Sequence, residues 1–301
     1  MCDTCAEHTH DHGHSHESVL PFRASGDDFR VVVTGKGGVG KTTLTALLAR
    51  QLARRAYQVL ALDADPQMNL PYVLGLRAED ARHLVPLSEN LDYVEEKTGA
   101  RPGEGWGLFF RLNPDVDDVV DRFGVRGPDS VRLLVMGNTV QPAAGCLCPE
   151  NALLAAVTNS LSLRRDDAIL MDTQAGFEHF GRALAKGFRH AVVVTDPTFN
   201  GIQVALHAAR LAGDLDIPAI HLVVNRVRGA RDYERSLDRL NDEGGFPFTS
   251  KHWLPVDEDL PDVEPSVGAL LERSPTLFDH KLGELLQALL AEEEAVLPCV
   301  S

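Results

Sequence analysis

The chain has 301 residues, 44% of them hydrophobic, enough to bury a full core as one large or two small domains. A formal charge of −15 with no Lys/Arg cluster excludes a nonspecific nucleic-acid binder, and no apolar run approaches the length that crosses a bilayer. Five cysteines in a chain this long do not make a disulfide framework, and the start lacks the basic-then-apolar order of a signal peptide; both point to a reducing, cytoplasmic setting without stable membrane association.

Residues 1–28 are polar and poor in apolar side chains, so they read as a mobile tail ahead of a folded unit spanning residues 29–301. Cys2 and Cys5 form a C-x-x-C pair. His8, His10, His12, His14 and His16 alternate, so an extended chain carries their imidazoles on one side. Thiolate with imidazole suits Ni²⁺, Zn²⁺ or copper.

From residue 29 onward, strand-like and helix-like runs alternate. Residues 29–34 (FRVVVT) are an apolar, β-branched strand, and residues 42–55 carry Leu44, Leu47, Leu48 and Leu52 at helical spacing. Between them lies Gly35-Lys36-Gly37-Gly38-Val39-Gly40-Lys41-Thr42-Thr43. In that setting the glycines let backbone N–H groups close on nucleotide phosphates and the helix N-terminus adds its positive end. Lys41 reaches the terminal phosphates, and the Thr42 hydroxyl can ligate Mg²⁺.

Further apolar strands are expected at 59–63, 131–136, 168–172, 191–195 and 220–225, with helices near 149–161, 200–212 and 232–241. Repeated β then α predicts an α/β fold with a mainly parallel sheet flanked by helices on both faces, and the glycine loop between its first strand and helix makes a P-loop NTPase the expected version of it. Residues 76–130 lapse into charged and Gly/Pro-containing sequence, expected as an insertion on the nucleotide side. Residues 266–297 read as helices packing on the sheet edge.

Asp63 and Asp65 stand at period two at the carboxyl end of the second strand, where open α/β sheets place their ligand-binding residues. An acid there can orient or deprotonate an attacking water. Asp172 ends another buried strand, the arrangement of an acid that holds Mg²⁺ through water. Cys146 and Cys148, at i and i+2, point both sulfurs to one side when extended, yet two thiolates make only half of a four-coordinate site; a symmetric partner would complete it. Pro149 suits the first helical position, which places Cys148 at a helix N-terminus that favours the thiolate.

The second lysine of the glycine loop, Lys36, makes it resemble the deviant P-loop of the ATPases that include the nitrogenase iron protein, the chromosome-partition and division-site ATPases and metallocluster maturation factors. The resemblance implies a homodimer that closes on ATP, with Lys36 reaching the partner's nucleotide. Asp63-Ala64-Asp65-Pro66 looks like switch I of that family, which implies that Asp65 positions the water and Asp63 supports the Mg²⁺ shell. Asp172-Thr173-Gln174-Ala175-Gly176 resembles switch II. Asn225 is either a strand-end cap or, by the resemblance, the reader of the adenine edge, with Pro255-Val256-Asp257 in the loop against the base.

Phe110-Arg111-Leu112-Asn113-Pro114, Gly145-Cys146-Leu147-Cys148-Pro149-Glu150-Asn151 and Ala175-Gly176-Phe177-Glu178-His179 resemble, within a similarity over about residues 30–290, the CooC-type maturation ATPases of nickel-containing carbon monoxide dehydrogenase. This implies a nickel or zinc site shared by the Cys146 and Cys148 pairs of two subunits, ATP turnover coupled to nickel delivery, and the apo-dehydrogenase as client. The tail is similar to that of the hydrogenase nickel-incorporation GTPase, although Ala6-Glu7 replaces the further glycine and cysteine of that pattern. An iron-sulfur carrier or reductase of the nitrogenase iron-protein type has a cysteine in switch II, whereas residues 173–180 hold none. A passive nickel buffer regulated by nucleotide remains the alternative from another class.

Overall fold

The computed structural model describes residues 29–102, 110–111, 114–137, 149–160, 167–175, 184–185 and 187–295. The candidate ligands Cys2, Cys5, His8, His10, His12, His14, His16, Cys146 and Cys148 lie outside these residues, as does the segment after Ala175 through residue 183.

The described strands are β1 (Phe29–Gly35), β2 (Gln58–Ala64), β3 (Val125–Arg126), β4 (Arg132–Val135), β5 (Asp167–Thr173), β6 (His190–Thr195), β7 (Ala219–Val227) and β8 (Ser250–Pro255). They form one sheet in the order β3-β4-β2-β5-β1-β6-β7-β8, parallel except for β3. Both faces are covered, and so the strands are apolar on both sides rather than alternating with polar residues.

The alternation appears instead in which core each residue joins. Val31 and Val33 of β1 meet Leu44, Leu47, Leu48 and Leu52 of α1 (Lys41–Arg54) together with Leu282, Leu285, Leu286 and Leu289 of the helix Leu277–Ala295. Val32 faces the other way, toward Leu153, Leu154 and Val157 of the helix Pro149–Ser160 and Ile202 and Leu206 of Phe199–Asp214. Each such fully buried leucine contributes about 2 kcal/mol, so the leucine spacing of α1 is sufficient to dock it. The mainly parallel sheet covered by helices on both faces, the architecture expected of a P-loop NTPase, is therefore the observed one.

Two expectations change. The described residues of 76–130 do not line the nucleotide side: Leu87, Tyr93, Val94, Val116 and Val119 sink into the core layer that holds the helix Pro149–Ser160. The helix Leu91–Thr98 starts at Asn90, whose side chain accepts from Tyr93 N, and the Tyr93 hydroxyl donates to Asp118 at 3.0 Å. Charged residues on its outer face obscured that amphipathic spacing. The second change is β8, whose sequence SKHWLP lacks an apolar run because it is an edge strand with only Leu254 fully buried. The helix Leu277–Ala295 packs on this edge, as expected for the closing stretch.

Toward the amino ends of β6, β7 and β8 runs a polar chain, buried at His190 and His221 and half-buried at Ser250 and His252. His190 Nδ1 lies 3.2 Å from His221 Nε2, His221 Nδ1 lies 2.8 Å from Ser250 Oγ, and that hydroxyl lies 2.7 Å from His252 Nε2. Burial, and then the neighbouring His190 and His252, push His221 down to about 3.

Candidate nucleotide site

Three adjacent strands deliver the site. In register, Val33 of β1 stands beside Asp172 of β5, and Asp172 beside Asp63 of β2, so two acids and the start of the glycine loop leave the sheet together. Gly35 has φ +142°, and a Cβ there would collide with the Val194 carbonyl oxygen of β6. Gly40 opens α1 at φ +96°, where a Cβ would fall 2.7 Å from Asn225 Nδ2. These two glycines are demanded by close approach as well as by backbone angle.

Lys41 is buried, and its Nζ donates to the Lys36 carbonyl at 3.1 Å, closing the loop on itself. Burial lowers its pKa, while Asp172 and Asp65 pull it back up. Thr42 Oγ1 donates to Asp172 Oδ2 at 2.6 Å, and Asp172 Oδ1 is buried with no hydrogen-bond partner among the described residues. Burial drives Asp172 above the usual carboxylate range despite Thr42 and Lys41. An orphaned carboxylate oxygen beside a threonine hydroxyl is a hard-oxygen donor set, which fits Mg²⁺.

Asp63 is fully buried and raised, by burial first and then by Asp172. Its Oδ1 accepts from Asp65 N at 3.0 Å and its Oδ2 from Leu70 N at 3.1 Å. Both oxygens thus organise the turn that carries Asp65. Asp65 Oδ1 accepts from Gln67 N at 2.9 Å, and its side chain lines a cavity of about 820 Å³. Gly37, Gly38, Gly40, Lys41, Thr42 and Thr43 line the same cavity, and no described residue of 76–130 does.

A second cavity of about 380 Å³ holds Asn225, Pro255, Val256 and Asp257 and shares Gly40, Thr43, Arg226, Leu260 and Glu264 with the first. The base-reading candidates therefore sit together, but partly engaged. Asn225 Nδ2 donates to the Val39 carbonyl at 2.8 Å, which leaves one N–H. Asp257 receives both terminal nitrogens of Arg273, and this pairing holds its carboxyl below the usual range.

The sequence reading missed Arg273 and Asp196. Lys36 Nζ lies 3.4 Å from Asp196 Oδ2. The available signal was that Asp196, like Asp172, closes a buried strand with an acid.

Residues 30–264 match the family model of the CobQ/CobB/MinD/ParA nucleotide binding domain. The chain belongs to that family. It is 38% identical over 224 residues to the carbon monoxide dehydrogenase accessory protein CooC of Rhodospirillum rubrum, covering 73% of this chain and 84% of that protein. It is 36% identical over 231 residues to an uncharacterized ATP-binding protein of Methanocaldococcus jannaschii, covering 77% and 86%. The cell division ATPase MinD of Pyrococcus furiosus shares the fold with a TM-score of 0.61 and 23% identity, over 88% of this chain and 100% of that one. Membership in this family makes the chain a nucleotide-binding protein, with ATP as the nucleotide its relatives imply, and the two joined cavities are the candidate site for it. Among the described residues no group of three or more His, Cys, Asp or Glu is placed to hold a metal ion, and no helix is long and apolar enough to cross a membrane.

Proposed function

We propose that the protein is an ATP-hydrolysing nickel metallochaperone that loads nickel into the active-site cluster of carbon monoxide dehydrogenase, working as a cytoplasmic homodimer closed by ATP, metal or both. The similarity to CooC carries the client assignment. The orphaned Asp172 oxygen beside Thr42 supports the hydrolytic part.

Phosphoryl transfer asks chiefly for positioning and charge stabilisation. The loop N–H groups hold the phosphates, and Lys41 exchanges the Lys36 carbonyl for a terminal phosphate oxygen. Thr42 and Asp172 would hold Mg²⁺, which when bound neutralises charge on the phosphate oxygens. Asp65, steadied through the Asp63 turn, positions the water. Lys36 leaves Asp196 to reach the partner's nucleotide. Cys146 and Cys148 of two subunits hold Ni²⁺ or Zn²⁺ as cargo, and residues 1–28 act as a nickel-collecting arm through Cys2, Cys5 and the alternating histidines.

The test is elemental analysis and ATPase rate on the full chain and on a chain lacking residues 1–16, each with and without nickel and ATP. Nickel binding that responds to ATP, with turnover that responds to nickel, supports directed delivery. Nickel bound with turnover indifferent to it would leave only the passive buffer.

A further inference from the structure

Strand β7 loses its register with β8 between Val224 and Val227. Inside that irregularity Arg226 has φ +58°, a left-handed backbone uncommon for a residue with a side chain. The conformation is held from both sides: Asn225 Oδ1 accepts from Arg226 N at 2.8 Å, and Val256 N donates to the Val227 carbonyl at 3.1 Å.

The bend has a geometric result. Neighbours in a regular strand point to opposite faces. Here Asn225 and Arg226 line the same cavity, and Arg226 lines the larger one as well. It therefore stands where the two spaces join, a position it shares with Gly40, Thr43, Leu260 and Glu264.

Its charge is also uncommitted. Arg50, Arg54, Arg77, Arg101, Arg122, Arg235 and Arg273 each meet an acid, in a chain whose formal charge is −15. The exposed Arg226 guanidinium pairs with no carboxylate among the described residues.

We propose that Arg226 contacts the nucleotide, its guanidinium engaging an oxygen of the phosphate nearest the ribose, and that Asn225 braces it. The proposal rests on the reading that one nucleotide fills both cavities. Lys41 and Thr42 mark the terminal-phosphate end, while Pro255 and Val256 mark the base end. A nucleotide joining them threads the junction with its ribose and first phosphate. Guanidinium suits a phosphate there because its fork matches phosphate oxygens.

The variants are Arg226→Gly, which removes the side chain while suiting the positive φ, and Arg226→Lys, which keeps the charge and loses the fork. ADP, adenosine and pyrophosphate are titrated calorimetrically into the full chain and both variants, with thermal midpoints recorded without ligand. The glycine variant should lose about tenfold or more in ADP affinity and less than about twofold in adenosine affinity, and the lysine variant should recover part of the loss. Its midpoint should not fall. ADP affinity within about twofold of the parent in the glycine variant overturns the proposal, as does an equal loss for adenosine and ADP, which would make Arg226 a base contact. A parent chain that binds neither ADP nor ATP instead overturns the nucleotide reading itself.

Discussion

Lys36 Nζ and Asp196 Oδ2 lie 3.4 Å apart and tie the glycine loop after β1 to the loop after β6. Burial pushes Asp196 up, but the Thr198 hydroxyl and the Lys36 ammonium together hold its carboxyl below the usual range. Both side chains are partly exposed, at 30% and 20%, and a pair of that kind contributes no more than about 1 kcal/mol. A phosphate can therefore displace Asp196 without difficulty.

Lys36→Ala should bind nucleotide through Lys41 yet fail to form an ATP-closed dimer. Asp196→Asn, which keeps an acceptor for Thr198, should tighten that dimer by up to about fivefold, since the competing charge is gone. Light scattering with ADP and with a nonhydrolysable ATP analogue reads both. A Lys36 variant that dimerises like the parent would confine this lysine to its own subunit.

Lys41→Ala should abolish hydrolysis, because the charge delivered from α1 to the terminal phosphates has no replacement nearby. Asp65→Asn should still bind ATP and turn it over at least ~100-fold more slowly. Single-turnover rates alongside binding isotherms separate the two effects. Near-normal turnover in the Asp65 variant would place water positioning elsewhere.

Cys146→Ser with Cys148→Ser should remove metal-driven dimerisation while part of the intrinsic ATPase survives, as a hydroxyl is a poor ligand for a soft metal. The experiment uses the chain lacking residues 1–16, so that the tail's ligands do not contribute. One metal still bound per dimer would refute the cysteine assignment.

His221 gives a pH prediction with a definite sign. Its folded value of about 3 lies below the unfolded value near 6.5, so its contribution to stability is complete above ~6.5 and lost as pH falls toward 3. The slope is about 1.4 kcal/mol per pH unit in that window. Asp63 and Asp172, raised by burial, act with the opposite sign in part of the same window. Denaturant melts of the parent and of His221→Asn across pH 4 to 7 isolate the histidine. Parallel curves would show that His221 does not carry the acid sensitivity.

The central strands and α1 were legible because burial on both faces forces an apolar run, and the glycine loop was legible because phosphate binding dictates its composition. Asp63, Asp65 and Asp172 were found as strand-end acids. The resemblance implied a division of labour among them, but that Asp63 spends both oxygens on Asp65 N and Leu70 N depends on a turn whose shape no spacing reveals. Asp196 and Arg273 escaped because their partners, Lys36 and Asp257, are 160 and 16 residues away in sequence. The edge strand β8 escaped because one exposed side relaxes the demand for apolar residues.

Strand β1 lies between β5 and β6, bonded to both along its length. Lys36 and Asp196 follow β1 and β6 directly and Asp172 stands near the end of β5, so these three candidate site residues are anchored to one rigid plank and differ only in what lies beyond its end. A close-packed sheet does not yield to the loss of one phosphate. In the proposed mechanism, news of hydrolysis leaves through those overhangs, with the plank's rigidity turning a small local release into motion in a defined direction.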